Sequence, residues 1–297
     1  MQGIIVASGK RSFDCYVEGT IEEFSVESKI FEKYHPVPGD HVLINENKIV
    51  DVVDRQNEIF KYSLKNKSKQ VIAANLDYIL YVASIESPSV NYLHMDKCFA
   101  RSYLWNIPFK IILTKMDLYK KDFIDALMSR YSHVDIYELS SINKNYTPKY
   151  FDYSYDDLKR HITNKKIIFM GESGVGKSEL IFSLTDQAIK RGVLSEIKRG
   201  MHTTTQSKFY ITEKFWILDS PGFSELSMID LTEYDLLQGF QDLQEYFLKC
   251  KFQNCHHSKD NQYCSLYKID NKIIESRFKN YLSILEEIQS IPSWKKT

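Results

Sequence analysis

The sequence lacks the features that would place it in several large classes of protein. No apolar run approaches the roughly 18–20 residues that a membrane-spanning helix needs. The first residues, MQGIIVASGK, do not have the layout of a secretory signal peptide. Internal repeats and long low-complexity tracts are also missing. We therefore expect a soluble, cytoplasmic protein that has no membrane partner.

Charge of one sign is not in excess, and cysteine is scarce. The 297 residues contain 39 Lys+Arg and 39 Asp+Glu. This balance excludes a uniformly basic coat for nucleic acid but not a local basic face, because a sum says nothing about placement. Five cysteines are an odd count, and a reducing compartment disfavours a disulfide framework. Three of the five lie within 15 residues of one another, which indicates a metal site.

The pattern of apolar residues predicts three units. Residues 1–62 contain short extended runs broken by polar or Pro/Gly turns, which predict a small β-barrel, either an OB-fold or an SH3-like barrel. Residues 63–232 begin with a polar stretch, 63–69, which we interpret as a linker, and then alternate buried strands with helices. That alternation is typical of an α/β domain. Residues 233–297 return to a mostly helical pattern.

A phosphate-binding loop is the clearest motif. Residues 171–178, GESGVGKS, fit G-x-x-x-x-G-K-[ST] and lie between a predicted strand and a predicted helix. The glycines let backbone N–H groups turn toward the β-phosphate. Lys177 would reach the β- and γ-phosphate oxygens, and the Ser178 hydroxyl would bind Mg²⁺. The nucleotide-binding residues predicted here are Gly171, Glu172, Ser173, Gly174, Val175, Gly176, Lys177, Ser178 and Glu179.

A second motif, TKMD at 114–117, favours GTP over ATP. It follows the buried strand FKIIL and resembles the N-K-x-D guanine motif, with Thr114 in place of the usual asparagine. The Asp117 carboxylate would accept hydrogen bonds from the guanine N1–H and 2-amino group, a pair that adenine cannot supply. Two serines after the next strand would face the guanine O6 through backbone N–H groups. The predicted guanine-binding residues are Thr114, Lys115, Met116, Asp117, Ser140 and Ser141.

Two further segments have the pattern of GTPase switches. The run DSPG at 219–222 fits D-x-x-G, so Asp219 would hold the Mg²⁺ shell through water and the Gly222 N–H would sense the γ-phosphate. Upstream, GMHTTT at 200–205 lies where a switch I threonine must lie. Thr204 is the predicted Mg²⁺ ligand, with Thr203 as the alternative.

The residue after Gly222 is Phe223, where Ras-like enzymes have a glutamine that orients the attacking water. Phenylalanine cannot do this, so intrinsic hydrolysis should be slow unless another polar group takes part. His202 is the nearest candidate along the chain, because an imidazole can orient a water near neutral pH. The motif order, with the guanine motif before the phosphate loop, is a circular permutation. It puts the switch segments next to the C-terminal unit.

The cysteine cluster has the spacing Cys250-x4-Cys255-x-His257-x6-Cys264. Three thiolates and an imidazole form the ligand set of a closed structural Zn²⁺ site. His256 is the competing imidazole. The other two cysteines, at positions 15 and 98, are isolated and are expected to be core residues.

A barrel, a permuted GTPase with GMHTTT and DSPGF, and C-x4-C-x-H-x6-C together resemble the RsgA (YjeQ/YloQ) family of ribosome small-subunit-dependent GTPases. The run HPVPGDHV at 35–42 also looks like a barrel segment of that family. The resemblance covers essentially the whole chain. It implies an N-terminal OB-fold, a GTPase centre using Mg²⁺ and a C-terminal zinc domain. It also implies binding of the 30S subunit and its 16S rRNA late in assembly, with subunit-stimulated GTP hydrolysis.

In that family a histidine before the Thr-Thr pair is the proposed water-positioning residue, which implies a catalytic role for His202 beside Lys177. We expect a monomer that exchanges GTP and GDP. The alternative is an RNA-binding assembly factor whose GTPase fold serves mainly as a nucleotide-sensing scaffold, since OB-folds and small zinc domains often bind RNA.

Overall fold

The amino-terminal strands close into a barrel in the computed structural model, which describes residues 1–9, 12–63, 68–86, 88–118, 121–140, 146–185, 207–219, 226–252, 255, 263–269 and 271–290. The strands are β1 (Gln2–Ser8), β2 (Ser12–Val17), β3 (Thr20–Val26), β4 (His41–Asn45) and β5 (Lys48–Val52), with helix α1 (Ser28–Tyr34) between β3 and β4. They pair in the closed order β1-β2-β3-β5-β4-β1. Alternate side chains, such as those of Ile5, Phe13 and Phe24, fill the interior.

This closed five-stranded barrel confirms the barrel prediction, and its Greek-key order is that of an OB-fold. Among the barrel strands described, β3 and β5 are the one pair that runs parallel. The sequence pattern did not reveal β3, because its first four residues, TIEE, are all exposed and offer no apolar alternation.

The predicted linker at residues 63–69 has paired strands at both of its ends. Strand β6 (Glu58–Ser63) pairs antiparallel with β7 (Ser68–Ala74), and Ser63 lies opposite Ser68 in this two-stranded sheet. Ile59 and Ala73 are fully buried in the same core as the central sheet. The polar stretch therefore joins two paired strands. The proposed unit boundaries near residues 62 and 232 stay predictions.

A parallel sheet forms the centre of the molecule. It contains β8 (Tyr78–Ser84), β9 (Phe109–Thr114), β10 (Ile136–Glu138), β11 (Lys166–Met170) and β13 (Trp216–Asp219), in the order β10-β9-β8-β11-β13. Strand β12 (Lys208–Ile211) runs antiparallel beside β13. At the opposite edge of β12, Lys208 pairs with Ala7 of β1, so barrel and centre share one 11-stranded sheet.

Helices cover both faces of the central sheet. Helices α2 (Tyr92–Leu104) and α3 (Lys121–Arg130) pack on one face, and α4 (Tyr155–Ile162) and α5 (Lys177–Leu184) pack on the other. In β8 the side chains of Ile79 and Leu80 enter opposite cores, and both are fully buried. Burial on both faces explains the nearly continuous apolar run from which the sequence predicted this strand.

The C-terminal unit is helical, as predicted. Helices α6 (Glu233–Gln238), α7 (Gln241–Phe247) and α8 (Lys272–Gln289) share a core with α2. Leu248 is 86% exposed, because α7 ends one residue before it. Among the helices described, none is long and apolar enough to cross a membrane.

Candidate functional site

Five parallel strands end at one edge of the central sheet, and the predicted motifs are gathered there. Thr114 ends β9, Asp219 ends β13, and the phosphate loop follows β11 directly. Strand β8 lies between β9 and β11. The connection after β8 leads to β9 on one side, whereas the chain after β11 continues to β13 on the other side. Open α/β sheets bind ligands in the crevice at such a point. Residues that are far apart in the sequence thus come to one site.

The phosphate loop packs tightly against the central strand. Gly171 has a φ of +129°, and a Cβ at this position would lie 2.2 Å from the Val82 carbonyl oxygen. Gly174 and Gly176 also have positive φ values, of +82° and +96°. Glycine is needed where the backbone is left-handed and another backbone approaches this closely. Helix α5 starts directly after Gly176, so its free N–H groups face the loop.

Lys177 is held over the loop by backbone carbonyls. Its Nζ donates to the Gly171 oxygen at 2.7 Å and also to the Glu172 oxygen. Burial lowers the pKa of Lys177, while the nearby Glu172 carboxylate acts in the opposite direction. A partly buried ammonium whose hydrogen bonds go to neutral carbonyls is well placed to bind an anion.

The carboxylate of Glu172 contacts the start of helix α2. Asn91, the N-cap of α2, donates from Nδ2 to Glu172 Oε1 at 2.9 Å and accepts from the His94 N–H at 3.1 Å. The sequence analysis missed Asn91. An Asn before a helical run is a capping signal, but nothing in the pattern showed that this cap lies beside the phosphate loop.

The guanine motif is tied to the phosphate loop and to the next loop of the sheet edge. Thr114 is 4% exposed, and its Oγ1 lies 2.8 Å from the Val175 oxygen and 3.3 Å from the Ala83 oxygen. Ser140 donates to Asp117 Oδ1 at 3.0 Å. These bonds therefore bring together three of the predicted segments: the guanine motif, the phosphate loop and the loop at Ser140.

The two middle residues of the motif differ in role. Lys115 adopts a left-handed conformation with φ +58°, and its Nζ donates to the Glu86 oxygen at 3.3 Å. Met116 is buried in the core at 1% exposure, and its N–H donates to the Leu139 oxygen at 3.1 Å. Met116 thus anchors the loop, and its side chain is turned away from the ligand side.

A cavity of about 240 Å³ lies between these loops and helix α5. Its walls are mainly apolar, as ligand cavities usually are. Two predicted residues from the guanine loops and two from the phosphate-loop segment line it. The lining residues are Thr114, Glu138, Leu139, Ser140, Tyr146, Tyr155, Gly176, Glu179, Leu180, Phe182 and Ser183.

Glu138 is a wall residue that the sequence analysis missed. It is fully buried, and its carboxylate accepts hydrogen bonds from the Tyr146 hydroxyl at 2.9 Å and from the N–H groups of Lys149, Tyr150 and Phe151 at 2.8–3.0 Å. Four donors satisfy the buried charge. The sequence signal was present, since a glutamate ends an otherwise buried strand. Its function is to fix the chain that returns from the guanine loop.

Asp219 lies at the same sheet edge, at the end of β13, with the Tyr210 hydroxyl 3.4 Å from its Oδ2. The other switch predictions lie outside the described residues, as do one guanine-loop serine and both candidate imidazoles of the metal site. These residues are Ser141, His202, Thr203, Thr204, Gly222, Phe223, His256 and His257.

Three of the predicted metal ligands come together in the C-terminal unit. The sulfur atoms of Cys250, Cys255 and Cys264 all lie within 4.8 Å of one another. Burial raises the pKa of Cys264 to about 12. For Cys250 burial acts in the same direction, but hydrogen bonds from Ser265 and the neighbouring thiols outweigh it and lower the pKa. The donor set fits a soft divalent cation.

The remaining two cysteines are not part of this cluster. Cys15 is buried in the barrel and Cys98 is buried on α2. Burial raises the pKa of Cys15 to about 12, so this thiol is inert at neutral pH. Both have the core role that was expected.

Comparison with known proteins decides between the functions that this geometry allows. The family model described as RsgA GTPase matches residues 52–229, which is more than half of the chain. The chain belongs to the RsgA GTPase family. Its activity is the hydrolysis of GTP to GDP and phosphate. The resemblance based on the motifs is thereby confirmed.

Members of the RsgA family align with nearly the full length of the chain. A small ribosomal subunit biogenesis GTPase RsgA from Phocaeicola vulgatus is 30% identical over 93% of this chain and 90% of that protein. The protein of the same name from Hahella chejuensis is 32% identical over 93% of this chain and 77% of its own length.

Two solved structures share the fold. YjeQ from Thermotoga maritima superposes with a TM-score of 0.73 at 23% identity, covering 98% of this chain and 99% of that one. YloQ, a circularly permuted GTPase, gives a TM-score of 0.68 at 23% identity, covering 98% and 96%. The fold prediction, a barrel followed by a permuted GTPase and a helical unit, is confirmed.

Proposed function

We propose that this chain acts in late maturation of the 30S ribosomal subunit, binding the subunit and its 16S rRNA and hydrolysing GTP faster when bound to it. The observation that carries the proposal is the collinear similarity to small ribosomal subunit biogenesis GTPases over 93% of the chain. That span includes the barrel and the cysteine cluster as well as the GTPase centre. The place of action would be the cytoplasm, and the active form would be a monomer.

Guanine selection in this proposal rests on Asp117. The bond from Ser140 to Asp117 Oδ1 holds the carboxylate in place and leaves Oδ2 and the remaining lone pairs for the guanine N1–H and 2-amino group. Lys115 would lie along the base plane, and Ser141 would contribute a backbone N–H to O6. ATP presents no matching donor pair, so it should be a poor substrate.

Phosphate binding in this proposal rests on the loop at 171–178 and on Glu179. Lys177 would exchange its two carbonyl partners for the β- and γ-phosphate oxygens, which carry the negative charge that carbonyl oxygens lack. Ser178 and Asp219 lie at one sheet edge and supply the hard oxygen donors that Mg²⁺ prefers. Thr204 would complete that set, and Gly222 would sense the γ-phosphate.

The attacking water would be oriented by His202, since Phe223 has no polar group for that task. The ribosomal subunit would stimulate hydrolysis by completing this arrangement. The specific test is His202→Ala with and without 30S subunits. A loss of the stimulated rate with unchanged GTP binding supports the role. A stimulated rate equal to that of the unaltered chain contradicts it.

One structural Zn²⁺ is proposed at Cys250, Cys255 and Cys264, with His257 as the fourth ligand. The clustered sulfurs support this set because three thiolates and an imidazole satisfy tetrahedral zinc. The test is metal content by atomic emission. The unaltered chain and Cys98→Ala should hold one zinc per chain, whereas Cys264→Ser should hold well under one. Equal zinc content in all three would refute the assignment.

The proposed function as a whole is tested by nucleotide turnover. GTP and ATP hydrolysis are measured with and without added 30S subunits, using 50S subunits as the matched control. We expect turnover of GTP, negligible turnover of ATP, and acceleration by 30S alone. A rate unaffected by 30S would overturn the ribosomal role while leaving the GTPase assignment intact.

A second measurement separates an active GTPase from a nucleotide-sensing scaffold. Lys177→Ala removes the ammonium of the phosphate loop, so it should abolish turnover and alter the nucleotide dependence of 30S association. Association and release that are indifferent to this substitution would favour the scaffold.

A further inference from the structure

Thr114 has a single hydroxyl hydrogen, and the fold commits it to the phosphate loop. The two oxygens near Oγ1, at 2.8 Å on Val175 and 3.3 Å on Ala83, are both backbone carbonyls and therefore accept only. A hydroxyl has one donor, whereas an asparagine amide at this position would have two. After its bond to Val175, Thr114 has no hydrogen left for a ligand.

The arrangement of the cavity walls indicates which ligand atom this affects. Asp117 is bonded to Ser140, whereas Thr114 is bonded to Val175 and lies beside Gly176, so Thr114 is the residue of the guanine motif that adjoins the phosphate loop. Around guanine, the order of atoms from the Asp117 contact toward the sugar is N1, O6, N7 and C8. With N1 and the 2-amino group on Asp117 and O6 facing the serine loop, N7 faces Thr114. N7 is an acceptor and needs a donor.

We propose that this enzyme reads guanine through the N1, 2-amino and O6 positions and leaves N7 without a hydrogen bond from the guanine motif. The inference rests on the proposed mode of guanine binding. It assigns Thr114 a specificity role: nucleotides that lack the N7 acceptor are accepted as readily as GTP. The cavity of about 240 Å³ beside Thr114 leaves room for a C–H in place of the N7 lone pair.

The proposal also predicts how the missing contact can be restored. Thr114→Asn supplies one N–H for the Val175 oxygen and a second for N7, and the adjoining cavity accommodates the larger side chain. A neutral hydrogen bond of this kind contributes about 2- to 10-fold in affinity. The variant should therefore distinguish GTP from an analogue without N7, which the unaltered chain does not do.

The experiment measures the Kd of the full-length protein for GTP, 7-deaza-GTP, ITP and ATP by competition with a fluorescent guanine nucleotide. For the unaltered chain we expect Kd values for GTP and 7-deaza-GTP within 2-fold of each other. For Thr114→Asn we expect 7-deaza-GTP to bind about 2- to 10-fold more weakly than GTP. Thr114→Val is the matched control: it keeps the shape, removes the hydroxyl and should weaken both nucleotides equally.

The outcomes separate this inference from the proposed function. A Kd for 7-deaza-GTP at least 5-fold above that for GTP in the unaltered chain overturns the inference, as does a Thr114→Asn variant that binds both equally. In either case a strong preference for GTP over ITP and ATP would leave the guanine assignment to Asp117 intact. Equal binding of GTP, ITP and ATP would instead overturn the guanine assignment itself.

Discussion

The two flanking units of the molecule are attached to the GTPase sheet by different kinds of contact. The barrel is attached mainly through backbone: β1 pairs with β12, and the turn at Gly39 rests on Ala74, whose N–H donates to the Pro38 oxygen at 2.9 Å. The helical unit is attached through buried charges, with Arg277 of α8 bound to Asp96 of α2, both fully buried. Backbone contacts survive most side-chain changes, whereas a buried charge requires every partner.

The charged attachment is a network. Asp96 also accepts from Arg130 of α3 at 3.3 Å and from Asn280 of α8 at 2.7 Å, and Arg277 donates to Asp242 at 2.8 Å. A second buried pair joins Arg101 of α2 to Asp230 just before α6. In contrast to the barrel, the helical unit is held in one specific arrangement, because its buried charges are satisfied when they face their partners on α2 and α3.

Breaking the charged attachment should have the largest effect. Arg277→Ala leaves Asp96 buried without its main partner, which costs about 3–5 kcal/mol of unfolding free energy. The measurement is chemical denaturation. Lys279→Ala is the matched control, because Lys279 is two residues further along α8, 69% exposed and paired with Glu275. It should cost less than about 1 kcal/mol, and equal losses in the two variants would refute the distinction.

Breaking the ion pair between Arg55 and Asp40 on the barrel side should cost less unfolding free energy than Arg277→Ala. Arg55 donates to both carboxylate oxygens of the buried Asp40 at 2.8 Å, but it is itself 19% exposed and Asp40 keeps a bond from the Val37 N–H. Arg55→Ala should therefore cost about 1.5–3 kcal/mol. Arg55→Lys keeps the positive charge but cannot form the bidentate pair with the carboxylate, so it should retain part of the stability. A loss as large as that of Arg277→Ala would remove the contrast between the two attachments.

Removing the aromatic contact between Tyr16 and Trp216, beside the β1–β12 pair, should cost still less unfolding free energy. Tyr16 of β2 meets Trp216 of β13 edge to face, with ring centroids 5.1 Å apart. Tyr16→Leu keeps an apolar side chain and removes the aromatic pair, so it should cost about 0.5–1.5 kcal/mol. Tyr234→Leu, at a site 69% exposed, is the control and should cost almost nothing. A cost above 3 kcal/mol for Tyr16→Leu would mean that side chains dominate the barrel attachment.

The smallest expected effect is a pH dependence near the barrel. Burial alone would raise the pKa of Glu58, but hydrogen bonds and charge from Lys69 and Arg55 outweigh it and lower the pKa below its ordinary value. A carboxylate with a lowered folded pKa stabilises the protein above its unfolded pKa of about 4.3, and this contribution is lost as the pH falls through the folded pKa.

The corresponding measurement compares unfolding free energies at pH 7 and pH 3 for the unaltered chain and Glu58→Gln. Since Glu58 is 26% exposed, the difference should be at most about 1 kcal/mol, with the variant losing less stability on acidification. If Glu58→Gln loses more unfolding free energy between pH 7 and pH 3 than the unaltered chain does, the prediction is wrong.

The sequence predicted the parts of the fold whose signals are local. Strand β8 and the phosphate loop were evident, because a doubly buried strand is continuously apolar and the loop has a fixed spacing. The pairing of β6 with β7 was not, because a polar stretch between paired strands and a polar linker between units have the same composition. The attachment at Asp96 and Arg277 could not be predicted either, since the partners are 181 residues apart and each looks like a surface charge on its helix.

The candidate site shows the same division. Thr114, Asp117 and the phosphate loop were identified by motif, and the fold brought them together as expected. The roles of Glu138 and Asn91 depend on which chain segments return to the sheet edge, and no spacing rule encodes that. The bond from Thr114 to Val175 also spans 61 residues, so the commitment of its hydrogen became visible only in three dimensions.

Helix α2 and its N-cap contact both the phosphate loop and the helical unit. Its 13 residues span about 20 Å, with Asn91 at one end holding Glu172 and Arg101 near the other holding Asp230. The same short helix therefore fixes the position of the helical unit relative to the phosphate loop.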